Sequence, residues 1–164
     1  MAITTADVMT RGIFSLDPDM TLHEMDTILV KSGVSGAPVV EGNRLVGVAS
    51  QSDVIRTLWE GQQENAHPAP YYSTGYAVPL SALEYMARDA ASLGDALVSY
   101  RVRDVMTPDP VVAHPEESIE SVARRMMADH IHRLPVVDEQ TGALVGIVTS
   151  LDLAGAIADF GLGS

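Results

Sequence analysis

One stretch of this chain occurs twice. Asp7-Val8-Met9-Thr10 returns as Asp104-Val105-Met106-Thr107, an offset of 97 positions. The same offset carries Pro18 onto Pro115 and Pro38-Val39-Val40 onto Pro135-Val136-Val137. Two extra residues then enter the turn of the second copy. Beyond them Leu45-Val46-Gly47 matches Leu144-Val145-Gly146, and Asp53 matches Asp152. A register with a single turn-length insertion marks a duplicated unit. Such a unit is too small to bury its own apolar side, so the two copies must pack on each other.

Both copies read as the same string of elements. A short extended stretch opens each, Ile13-Phe14-Ser15-Leu16 and Pro110-Val111-Val112-Ala113. A helix follows. In the first copy Thr21 and Glu24 form a capping box, and Leu22, Met25, Ile28 and Leu29 make its apolar stripe. In the second, Ser118 is the cap, with Glu116 and Glu117 just upstream, and Ile119, Val122 and Met126 make the stripe. A strand through Pro38-Val39-Val40 turns into a second strand, Leu45 to Ala49, and a closing helix ends the copy. The order is β-α-β-β-α, an α/β (α+β) class in which two small sheets pack together. We divide the chain into a first motif (1–58), an inserted loop plus helix (59–100) and a second motif (101–164).

The insert opens as loop, with Pro68, Pro70, Tyr71 and Tyr72. After Pro79 and a further capping box, Ser81 with Glu84, it reads as helix to about Tyr100, with Leu80, Leu83, Ala87, Ala90 and Leu97 on its apolar side. We expect this helix to pack beside the core and to help set a dimer arrangement.

Charge and composition exclude several functions. The net charge is −12 and Lys31 is the only lysine, so a polyanion such as DNA or RNA is repelled and finds no phosphate track. A mononucleotide needs only one local positive spot. The chain has no cysteine, which removes disulfides and thiol catalysis and suits a cytoplasmic protein. No apolar run approaches the ~18–20 residues that span a bilayer, and the first residues lack a signal-peptide pattern.

The chemistry concentrates at the strand-to-helix junctions, Gly47-Val48-Ala49-Ser50-Gln51-Ser52-Asp53 and Gly146-Ile147-Val148-Thr149-Ser150-Leu151-Asp152. A hydroxyl at a helix head caps free N–H groups, and an acid in the first turn suits the positive end of the dipole. The same pair also offers a ligand a hydroxyl and a carboxylate. A plain helix cap explains the spacing equally well.

The strings Gly33-Val34-Ser35-Gly36-Ala37-Pro38-Val39-Val40 and His130-Ile131-His132-Arg133-Leu134-Pro135-Val136-Val137 closely resemble cystathionine-β-synthase (CBS) motifs, as do Val105-Met106-Thr107-Pro108 and Gly146-Ile147-Val148-Thr149. The resemblance covers both copies and stops at the insert. It implies a CBS pair packed through its sheets about a pseudo-twofold, with two pairs joined as a homodimer in a four-motif disk. It implies an adenosyl ligand in clefts between motifs: AMP, ADP or ATP, with NAD or S-adenosylmethionine as further members of the class. Asp53 and Asp152, with Ser50 and Thr149 beside them, would hold the ribose hydroxyls. Val34, Ser35 and Gly36 would line the base pocket of the Asp152 cleft; Ile131, His132 and Arg133 would line that of the Asp53 cleft. Ile147 joins the set from the second junction. In the family a His-Arg pair at the position of His132-Arg133 contacts phosphates; Ser35-Gly36 does not match it, so the two clefts are expected to differ.

The residues do not suggest an enzyme: there is no nucleophile elbow and no P-loop. His130 and His132 share a strand face but lack a third metal ligand. The expectation is a regulatory protein requiring no cofactor, with little chain beyond Asp152 and hence a separate partner protein. A scaffolding dimer with empty clefts is the alternative.

Overall fold

A computed structural model describes residues 2–59 and 90–161. The expectations for Pro68 to Ala87, including the tyrosines and the Ser81–Glu84 box, lie outside the described residues.

In the first copy, helix α1 (Thr5–Val8) precedes α2 (Leu22–Ser32), β1 (Gly36–Glu41), β2 (Arg44–Ser50) and α3 (Gln51–Trp59). Helix α4 (Ala90–Ser99) closes the insert. The second copy repeats the order with α5 (Val102–Val105), β3 (Thr107–Pro108), α6 (Ile119–Asp129), β4 (Arg133–Val137), β5 (Leu144–Thr149) and α7 (Ser150–Phe160). The described strands form two antiparallel sheets, β1-β2-β3 and β4-β5. Each hairpin carries a register shift at the same repeat position, Val39/Val40 and Val136/Val137. The opening strands are shorter than expected. Each shrinks to one parallel bridge, Leu16 with Val39 and Ala113 with Val136.

The helices start where their chemistry requires. Thr21 accepts from the Glu24 N–H at 3.1 Å while Glu24 accepts from the Thr21 N–H at 2.8 Å. Ser118 accepts from the Ser121 N–H at 3.3 Å, but residue 121 is not an acid and the box is open. Glu117 takes over part of that work, accepting from the Ser121 hydroxyl at 2.7 Å and pairing with Arg125. Gly33 (φ 67°) ends α2 in the left-handed conformation, and its repeat partner His130 (φ 54°) ends α6 the same way. His130 is therefore a helix terminator. Among the described residues no cluster of three His, Asp or Glu side chains could hold a metal ion.

The duplicated Asp-Val-Met-Thr segments cross over. The segment before the first copy packs on the second: Thr5 and Ala6 donate to the carbonyls of Glu117 and Pro115, and Thr10 exchanges two bonds with Ile147 at 2.9 and 3.0 Å. The segment before the second copy packs on the first: Val102 and Arg103 donate to Met20 and Pro18, and β3 pairs with β2. The cores follow this exchange. Met9 joins Val122, Leu134, Val136 and Val148, whereas Val102 and Val105 join Leu16, Leu22, Met25, Leu29 and Val39. Leu97 of α4 packs on the first copy's core, as its place on the apolar stripe predicts. At the far end the two hairpin turns meet, with Leu45 N–H donating to Gly142 and Leu144 N–H to Asn43. Each half is therefore completed by the other.

Two glycines show how tightly. A Cβ on Gly146 would lie 2.7 Å from the Thr10 carbonyl oxygen and 3.0 Å from the Met9 sulfur. On Gly47 it would lie 2.7 Å from the Met106 sulfur and 2.9 Å from the Thr107 carbonyl oxygen. The repeated glycine and the repeated Met-Thr pair are thus two sides of one contact, made across copies.

Candidate functional site

The two strand-to-helix junctions are built alike. Ser50 caps α3 and Thr149 caps α7, each opposite an acid three residues on. Asp53 Oδ2 accepts from the Ser50 N–H at 2.8 Å and its hydroxyl at 2.9 Å. Asp152 Oδ2 accepts from the Thr149 N–H and hydroxyl, both at 2.7 Å. In each case one carboxylate oxygen completes a capping box, so the helix-cap reading of the spacing is physically realised.

The strand that carries the family string lies against the same junction. Gly36 pairs with Ser50 and Arg133 with Thr149 across the hairpins. Ser35 carbonyl accepts from the Gln51 N–H and His132 carbonyl from the Ser150 N–H, both at 2.9 Å. Gly36 admits no side chain, since its Cβ would fall 2.9 Å from both the Ala49 carbonyl oxygen and the Ser50 Cβ. Val34 and Ser35 are exposed, Ile131 is buried, His132 is exposed and Arg133 half-buried. Ile147 is partly buried where the Thr10 strand crosses. These bonds join each strand start to the helix start of its own copy. A shallow cleft lined by Arg44, Leu45, Asp109, Pro110, Val112, Val137 and Gly142 sits at the opposite, hairpin-turn end, away from both acids.

The two acids differ in what surrounds them. Asp53 is fully buried, and its second oxygen, Oδ1, accepts from the Arg56 guanidinium at 2.8 Å. Burial pushes the Asp53 carboxyl above its ordinary value, against the opposing pull of the Ser50 hydroxyl and Arg56. Asp152 is only half-buried, and among the described residues nothing donates to its Oδ1. Arg56 escaped the sequence reading. The signal was there: after the insertion the register sets Arg56 against Gly155, a charge against a hydrogen atom.

The raised carboxyl of Asp53 has a stability consequence. The native state holds that proton more tightly than the unfolded chain, so the contribution is full below the ordinary carboxylate range, ~3.9, and is lost as pH rises. Denaturant unfolding of the protein and of Asp53→Asn between pH 4 and 7 should show the wild type losing ground to the variant as pH increases. A stability difference that is flat or grows in the wild type's favour would contradict this.

The sequence profile of the CBS domain matches residues 6–60 and again residues 102–159. The chain belongs to the CBS domain family. The CBS-pair protein CBSX2 of Arabidopsis thaliana has the same fold over the full length of both chains, with a TM-score of 0.71 at 25% identity. The structure of CBSX2 in complex with AMP superposes with a TM-score of 0.65 at 26% identity, covering 96% of this chain and 97% of that one. The uncharacterized protein MJ1426 of Methanocaldococcus jannaschii is 34% identical over 152 residues, 92% of this CBS chain and 89% of its own length. An inosine-5'-monophosphate dehydrogenase of Korarchaeum cryptofilum is 28% identical over 144 residues, but these are only 22% of that enzyme. The mixed α/β architecture of the CBS pair, two small antiparallel sheets with flanking helices, is as the repeat predicts. No helix among the described residues is long and apolar enough to cross a membrane.

Proposed function

We propose that this CBS pair is a regulatory sensor of an adenine nucleotide, binding AMP, ADP or ATP between its motifs and relaying occupancy to a separate partner protein. The observation that carries the reading is Asp152. Its carboxylate stands at a helix N-terminus, half-exposed, with one oxygen committed to the cap and the other without a donor among the described residues. A ribose offers two adjacent hydroxyls that such an oxygen can accept. The similarity to CBSX2, solved with AMP, supports the same ligand class here; NAD and S-adenosylmethionine share the adenosyl group.

In this reading Asp152 and Thr149 hold the ribose, and Ser50 and Asp53 are the equivalent pair at the first junction. Val34, Ser35 and Gly36 line the base pocket on the Asp152 side, and Ile131, His132 and Arg133 line the Asp53 side. Ile147 adds an apolar wall, and His132 and Arg133 supply positive charge for phosphate. The chain acts by binding and not by catalysis, in the cytoplasm. Two chains form a homodimeric four-motif disk; Ile157 and Phe160, three apart and exposed on α7, offer it apolar surface.

Thermal unfolding with a panel of AMP, ADP, ATP, NAD and S-adenosylmethionine tests this. A ligand at 100 times its dissociation constant stabilises by ~2.7 kcal/mol, about 5–11 °C for a chain of this size. No shift with any adenosyl compound would leave the capping boxes as the whole role of the two acids and favour the scaffolding dimer.

A further inference from the structure

Resting on the nucleotide-binding reading, we infer that the chain binds one nucleotide and not two, because Arg56 occupies from within the place that a ribose would take at Asp53. The two junctions are equivalent in backbone and cap, so the difference lies in what reaches the acid. At Asp53, Oδ2 is taken by the Ser50 N–H and hydroxyl, Oδ1 by Arg56, and the residue has no exposed surface. A diol must evict the guanidinium before it can bond, and eviction strands a buried charge. At Asp152 the cap bonds are the same, yet no guanidinium follows them. The reason is one residue: the repeat partner of Arg56 is Gly155, and a Cβ built there meets nothing within 4 Å. Arg56 reaches its acid across one helical turn, and the geometry of α7 would let an arginine at position 155 do the same.

The arrangement also accounts for the charge of Arg56. Its side chain is 27% exposed against 0% for Asp53, so it stands between the acid and solvent while neutralising it. The first junction is a closed structural copy and the second an open binding copy.

Titration calorimetry with AMP on the full chain tests the inference through exchange of the two residues. The wild type should bind one AMP per chain, with no second site within about a hundredfold of the first. Gly155→Arg should lose at least tenfold in affinity, since position 155 is exposed and the change leaves the fold intact. Arg56→Gly should raise the stoichiometry to two. Because that variant unpairs a buried acid and is at risk of misfolding, Gly155→Arg stands as the independent arm. Two AMP per wild-type chain, a Gly155→Arg variant with wild-type affinity, or a folded Arg56→Gly that still binds one would each overturn it. Absence of AMP binding in every variant, wild type included, would instead refute the nucleotide-binding reading itself.

Discussion

Gly146→Ala and Gly47→Ala should each lower the stability of the whole chain, although each adds only one methyl group. Alanine in place of a strand glycine normally helps, because it removes freedom from the unfolded chain. Here the methyl group would sit 2.7 Å from the Thr10 carbonyl oxygen in one copy and 2.7 Å from the Met106 sulfur in the other. At Gly146 the obstacle is backbone that exchanges two hydrogen bonds with Ile147, so relief means losing them. Overpacking of this kind costs about 1–3 kcal/mol. For a chain of this size the melting temperature should fall by about 2–12 °C. Gly47→Ala should sit at the lower end, since the methionine side chain bends more readily than backbone, although the Thr107 carbonyl at 2.9 Å limits the relief. Gly155→Ala is the matched control: its methyl group meets open space on a helix, and it should stabilise by about 0.5–1 kcal/mol. Scanning calorimetry of the three variants separates the cases. A Gly146→Ala protein as stable as the wild type would mean that the crossing strand is not held as described.

That contact also shows what a sequence reveals and what it withholds. The offset of 97 makes the duplication visible, and period-3.6 stripes find Leu22, Met25 and Leu29 on α2 and Val122 and Met126 on α6, all buried in the structure. Local chemistry of that kind is written in adjacent residues. The exchange of Asp-Val-Met-Thr segments is not, because each segment precedes one copy and completes the other, and periodicity carries no information about which partner a strand joins. The short opening strands failed for a related reason: Leu16 and Ala113 alternate as strand residues do, but each finds only one parallel bridge. At the junctions, Ser50, Asp53, Thr149 and Asp152 were legible as caps, and the structure shows those caps. A ribose site wants the same hydroxyl and acid at a helix head, so the pattern alone does not separate the two roles. What distinguishes the two acids lies three residues further on. Read beside Gly155 in the repeat register, Arg56 is the one charged residue of α3 after Asp53 and has an uncharged partner in α7. That is an asymmetry on the helix side of the motif to set beside His132-Arg133 on the strand side.

The central claim is that an adenine nucleotide is held through its ribose by Asp152. Removing that carboxylate deletes the charge-assisted hydrogen bonding to the ribose, about 1.5–3 kcal/mol relative to water. It also removes the two bonds that the Thr149 N–H and hydroxyl donate to Oδ2, but the Thr149 hydroxyl still caps α7, so the chain should lose about 1–2 kcal/mol of stability. Folding and binding are therefore separable in this variant. The most direct measurement is the affinity of AMP for the wild type and for Asp152→Ala, taken by titration at the same pH and ionic strength, with the melting temperature of each recorded beside it. The expected result is a 10- to 100-fold rise in dissociation constant in a protein that stays folded, its melting temperature lower by only about 2–8 °C. Wild-type affinity in a folded Asp152→Ala protein would contradict the account.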